Sequence, residues 1–83
     1  MNKLETLKSA LSTRNDEIMS YQINIDNYER AIVKINTEHS DNLAMIEYRD
    51  LINGMLSSSK TEQLKTTIIR DVIADQVTEM EAT

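Results

Sequence analysis

The chain has 83 residues, which limits it to one domain or one element of a larger assembly. Nine basic and fourteen acidic residues give a net charge of −5, and no cluster of Lys and Arg offers the electrostatic surface of a nucleic-acid-binding protein. The absence of cysteine excludes a disulfide framework, a thiolate zinc site and a cysteine nucleophile. One glycine and no proline are too few turn residues for a β-rich fold, so the composition predicts an all-α protein.

A seven-residue repeat of apolar side chains fills the first half of the chain. One series steps by seven from Leu4 to Ile32, and a second runs from Leu7 to Ile35 with a single interruption at Arg14. Two such series form the seam of a coiled coil, and a narrow seam needs a partner helix to cover it. We predict an oligomer seam made of Leu4, Leu7, Leu11, Ile18, Tyr21, Ile25, Tyr28, Ile32 and Ile35.

The repeat falters at His39, Asn42 and Arg49, and the apolar residues of segment 43–56 then point in nearly every direction around a helix. A helix that is apolar on most sides is buried on most sides, so a second helix of the same chain should cover this segment. We assign the packing within this helical hairpin to Leu43, Ile46, Tyr48, Leu51, Ile52, Met55, Leu64, Ile68, Val72 and Ile73.

The only glycine, Gly54, is the natural end of the first helix, because glycine readily adopts the left-handed conformation that closes a helix. Ser59 and Glu62 fit a capping box, in which each side chain satisfies the other residue's backbone amide. The sequence therefore predicts a long heptad-repeat helix over 1–54, a loop over 55–59 and a second amphipathic helix over 60–83, within a single domain.

These lengths predict self-association. A first helix of about 50 residues is roughly 75 Å long and a second of about 20 residues roughly 30 Å, so the second covers only part of the first. The Leu4–Ile35 seam would stay bare in a monomer, which predicts an obligate homo-oligomer. Bulky Tyr21 and Tyr28, together with Arg14, favour three or more strands over two, while a dimer and an antiparallel four-helix arrangement stay open.

No residue pattern predicts catalysis, a cofactor or a metal site. Ser57–Ser59 have no base nearby in sequence, and the adjacent carboxylates Asp16 and Glu17 diverge around a helix axis. The longest apolar run, Leu43–Ile46, is far too short to cross a bilayer, and no secretory signal is visible. We expect a non-enzymatic protein of the cytoplasm that binds neither nucleic acid nor membrane.

The overall layout resembles one known family. A long heptad helix, a glycine-centred Asn53-Gly54-Met55-Leu56 and the Ile/Val-rich segment 67–73 are similar to the small tail-fibre assembly chaperones of tailed bacteriophages. The early Thr6-Leu7-Lys8-Ser9 is similar to that family as well. The resemblance implies a non-enzymatic helper in the folding of trimeric fibres, with a protein client.

Three classes of function are compatible with these observations. The first is a small assembly factor or chaperone that shelters a protein client during folding. The second is a coiled-coil inhibitor or adaptor that binds a larger host protein or machine. The third is a purely structural oligomerisation module.

Overall fold

The computed structural model describes residues 2–82, which form two α-helices, α1 over Lys3–Glu38 and α2 over Leu43–Ala82. The helices run antiparallel, since Lys8 near the start of α1 pairs with Glu81 near the end of α2. The molecule measures 62 × 17 × 14 Å, in keeping with a helix of 40 residues rising about 1.5 Å per residue. The predicted all-α helical hairpin is therefore confirmed.

Two asparagines define where the helices begin. The Asn2 side chain accepts a hydrogen bond from the Glu5 amide (2.8 Å), and the Asn42 side chain accepts one from the Met45 amide (3.2 Å). These are N-cap contacts, which satisfy amides that have no partner inside the helix. At the end of α1, the His39 amide still donates to the carbonyl of Ile35 (2.9 Å), and the helix stops there because the His39 backbone leaves the helical conformation (φ −134°, ψ 30°). The chain thus reverses over residues 39–42.

The predicted helix break at Gly54 is wrong, as are the loop over 55–59 and the cap formed by Ser59 and Glu62. α2 continues through all of these residues, and Gly54 does not have a positive φ. A glycine inside a helix costs only about 1 kcal/mol relative to alanine, which packing of the flanking turns offsets. Reversal at 39–42 also lets two helices of nearly equal length pack side by side along their whole length. This arrangement covers far more apolar surface than a turn at Gly54 would.

The predicted seam of α1 does face a helix, but that helix is α2 of the same chain. Ile25 (4% exposed) and Ile35 are buried, and the other seven predicted seam residues are half-buried. The prediction that only another chain can cover this seam is therefore wrong, because α2 is twice as long as expected. The facing positions on α2 follow spacings of four and three: Met45, Arg49, Ile52, Leu56, Ser59, Gln63, Thr66, Arg70, Ile73, Val77 and Met80.

The α2 side of this seam is polar in its middle, from Ser59 to Arg70. The Gln63 amide group donates to the carbonyl of Ile18 (3.3 Å) and to the side chain of Gln22 (2.9 Å). On α1, the seam residue Arg14 turns to Glu17 (2.8 Å), which leaves its Nε buried and without a hydrogen-bond partner. Polar residues of α2 therefore interrupt the apolar packing in the middle of the hairpin, where α1 still supplies the buried Ile25.

Candidate protein-binding surface

Most of the residues assigned to packing within the hairpin lie on its outside. Ile52 is buried and Ile46 and Ile73 are half-buried, as predicted. The assignment is wrong for the others, because moving the turn from Gly54 to residues 39–42 changes which face of segment 43–73 meets α1. The exposed residues of that set are Leu43, Tyr48, Leu51, Met55, Leu64, Ile68 and Val72.

Five exposed apolar residues follow one line along α2. Each immediately precedes a residue of the seam, so the line is rotated by about 100° from the face that meets α1. Ser58, Glu62 and Lys65 continue the same spacing through the middle, where Glu62 and Lys65 form an ion pair (3.4 Å). We call this line the α2 stripe; its apolar residues are Tyr48, Leu51, Met55, Ile69 and Val72.

The first half of the α2 stripe borders a shallow groove between the two helices. Tyr28 of α1 forms one wall, and the floor and second wall belong to Leu51, Gly54, Met55, Ser58 and Ser59. The small residues Gly54 and Ser58 leave room there, since a Cβ on Gly54 would meet no atom within 4 Å. The groove and the first half of the α2 stripe, up to Met55, thus form one surface of mainly apolar character.

Polar contacts between the helices lie on the other edge of the hairpin. Lys8 pairs with Glu81 (3.6 Å) and Glu29 with Lys60 (3.5 Å), while Asn36 accepts a hydrogen bond from Arg49 (3.0 Å). Gln22, which contacts Gln63, belongs with the α1 residues of these pairs. All four are separated by multiples of seven residues and so share one face of α1. The two edges of the hairpin therefore differ in chemistry: one is closed by charged and polar pairs, and the other carries the α2 stripe.

A second, smaller apolar surface lies on the back of α1. Met19 (64% exposed) and Ile23 (59% exposed) are one turn apart. Ile23 lies two residues from both Tyr21 and Ile25 of the seam, which places it about 200° around the axis and away from α2. We call this pair the α1 back face.

Metal-binding groups, ligand cavities and membrane-spanning helices are three further kinds of feature for which the described residues can be examined. Within residues 2–82, no three His, Cys, Asp or Glu side chains come together as a metal-binding group. A depression of about 650 Å³ is lined by α1 residues from Asp26 to Glu38 only, so it lacks the second wall of a ligand cavity. In the part of the chain that the structure describes, neither helix is apolar enough over a sufficient length to cross a membrane.

The sequence analysis missed Ile69, Met19 and Ile23 as surface residues. The signal for Ile69 is present in the sequence, because apolar residues at 48, 51, 55, 69 and 72 keep heptad spacing one position ahead of the α2 seam. That signal becomes readable only after the turn has been placed at 39–42. Comparison of the chain with family models, curated proteins and solved structures finds no match in any of the three.

Proposed function

We propose that this chain is a non-enzymatic, self-associating assembly factor that works through helix-to-helix contacts. One observation carries the proposal: α2 exposes a stripe of large apolar side chains that its own hairpin leaves uncovered. Exposed apolar patches bordered by polar residues, such as the two groups of this stripe, are typical of a site for protein contact. A cytoplasmic location is part of the same proposal.

The division of apolar residues between two faces supports both self-association and a client. The α2 stripe is long and continuous with the groove at Tyr28, which suits a helix of another subunit. The α1 back face is separate and smaller, so it stays accessible when the stripe is covered. We assign self-association to the stripe and client contact to Met19 and Ile23.

The client class follows from the resemblance to tail-fibre assembly chaperones, and the experiment uses such a client. The chain is co-expressed with a trimeric phage tail fibre, and the soluble trimer is quantified. The native chain should raise the yield severalfold, whereas the double variant Met19→Asp/Ile23→Asp should not. Thr6→Asp/Ser9→Asp is the matched control, because it adds the same charge to exposed polar positions of the same helix that lie at least ten residues from Met19.

The outcomes separate the alternatives. If the yield of soluble fibre does not rise with the native chain, or rises equally with the Met19→Asp/Ile23→Asp variant, the assembly-factor proposal is wrong. A self-associating chain without any effect on the fibre would instead fit a structural oligomerisation module. A stable complex with one host enzyme, resolved by size-exclusion chromatography, would fit the inhibitor or adaptor class.

A further inference from the structure

Three properties of the α2 stripe indicate which surface covers it. We infer that the stripe is covered by the α2 stripe of a second copy of this chain, antiparallel and related by a twofold axis near residue 60, giving a four-helix bundle. This inference deepens the self-association part of the proposed function and is independent of the client. The reasons come from area, from the distribution of apolar residues and from charge.

The exposed area of the hairpin matches what a dimer would cover. The single chain exposes 5933 Å². A compact monomer of 9.5 kDa would expose about 5,000 Å². The excess of about 900 Å² is close to the roughly 800 Å² that each partner contributes to a standard interface. Covering about 800 Å² on each hairpin therefore brings the exposed area of each chain close to that of a compact domain of its own mass.

The stripe is self-complementary about its centre. Its apolar residues form two groups, Tyr48 to Met55 and Ile69 to Val72, separated by Ser58, Glu62 and Lys65. In an antiparallel pair centred near residue 60, Tyr48 lies opposite Val72 of the other copy and Leu51 opposite Ile69, and each contact occurs twice. A twofold interface has this property, because the same patch must fit itself.

Charge selects the antiparallel direction. A parallel pair would place Glu62 beside Glu62 and Lys65 beside Lys65, which is unfavourable in a helical seam. In the antiparallel pair, Glu62 faces Ser58 and the Lys65 stem covers Met55 of the other copy. Each Glu62 is already paired with Lys65 of its own chain (3.4 Å), so the four charges at the centre sum to zero. Small Ser58 leaves space at the axis for the larger side chains opposite it.

The first experiment compares two substitutions by light scattering over a hundredfold range of concentration. The native chain should have twice the mass of 9.5 kDa. Ile69→Asp should raise the dissociation constant at least about a hundredfold, because a carboxylate enters the apolar interface twice. Leu64→Asp is the matched control: Leu64 is also largely exposed, but it follows the seam residue Gln63 and so lies outside the stripe. A native monomer, or equal weakening by both variants, would overturn the inference.

The second experiment tests orientation and remains decisive even if Ile69→Asp fails to fold. The chain has no cysteine, so Leu51→Cys and Ile69→Cys chains can be oxidised separately and as a mixture. The antiparallel register predicts a disulfide-linked heterodimer in the mixture only. Identical positions lie 18 residues apart in that register, about 27 Å, which is beyond the reach of a disulfide. Linkage within each separate sample, or none in the mixture, would overturn the register; neither result bears on the fibre assay.

Discussion

Replacement of Gly54 by alanine distinguishes the continuous helix from a broken one by the sign of its effect on stability. In the structure, Gly54 has no positive φ and lies eleven residues inside α2 from its start at Leu43. A Cβ at this position meets nothing within 4 Å, so it adds no steric strain. The expected change is therefore set by helix propensity alone.

Alanine in a helix interior is more favourable than glycine by roughly 0.5–1 kcal/mol, because glycine loses more conformational freedom on folding. For a chain of this size, about 0.8 kcal/mol corresponds to a rise in Tm of roughly 3–6 °C. If Gly54 closed a helix in the left-handed conformation, alanine would instead cost roughly 1–2 kcal/mol and lower the Tm.

The assay is thermal unfolding followed by circular dichroism, with native and variant chains at the same concentration. Ser57→Ala serves as a companion, because Ser57 is exposed and also lies inside α2. It should raise stability by about 0.5 kcal/mol on propensity grounds, whereas alanine in a loop would gain nothing. A fall in Tm for Gly54→Ala, with no gain for Ser57→Ala, would refute the continuous helix.

Three further substitutions probe the hairpin by the same unfolding measurement. Ile25→Asp should abolish helical signal, because burying an unpaired carboxylate costs more than about 3 kcal/mol in a chain with little stability to lose; retained helicity with a lower mass would place Ile25 between chains instead. Asn42→Ala should destabilise by about 1 kcal/mol through loss of the α2 cap, whereas Ser59→Ala should not, and equal losses would contradict the assigned cap. Lys60→Gln should change stability by less than about 1 kcal/mol, since its ion pair with Glu29 is exposed; a larger loss would show that the polar pairs of this edge contribute substantially to the stability of the hairpin.

The heptad pattern of α1 predicts its seam correctly because a long amphipathic helix has only one continuous apolar face. From Leu4 to Ile35, each residue of that pattern is buried or half-buried in the hairpin. What the pattern does not contain is the identity of the covering helix. A seam that packs against another chain and a seam that packs against α2 require the same apolar heptad pattern on α1.

The turn could have been found from local chemistry. His39-Ser40-Asp41-Asn42 follows the last regular heptad residue and contains three residues that favour turns, and Asn42 precedes an apolar run as an N-cap should. Gly54 and the capping-box pattern of Ser59 and Glu62 favoured a turn over residues 55–59 instead. The local preference for a helix break at Gly54 is a weak signal, because glycine costs a helix only about 1 kcal/mol relative to alanine. Side-by-side packing of the two helices along their whole length easily outweighs that cost.

In the dimer that we propose, the distribution of polarity on α2 couples folding to association. The face of α2 that meets α1 carries Ser59, Gln63 and Arg70 in its middle, and the α2 stripe places further large apolar residues, among them Leu51 and Ile69, where they do not meet α1. A two-helix hairpin with so small a buried core (Ile25, Ile35, Ile52 and Val77) gains little from intramolecular packing, because buried apolar area supplies most of the driving force for folding. A partner that covers the stripe adds the missing area and binds only the folded state, so it stabilises the hairpin by mass action. In the proposed dimer, the outward placement of apolar residues on α2 is thus the feature that links stability to assembly.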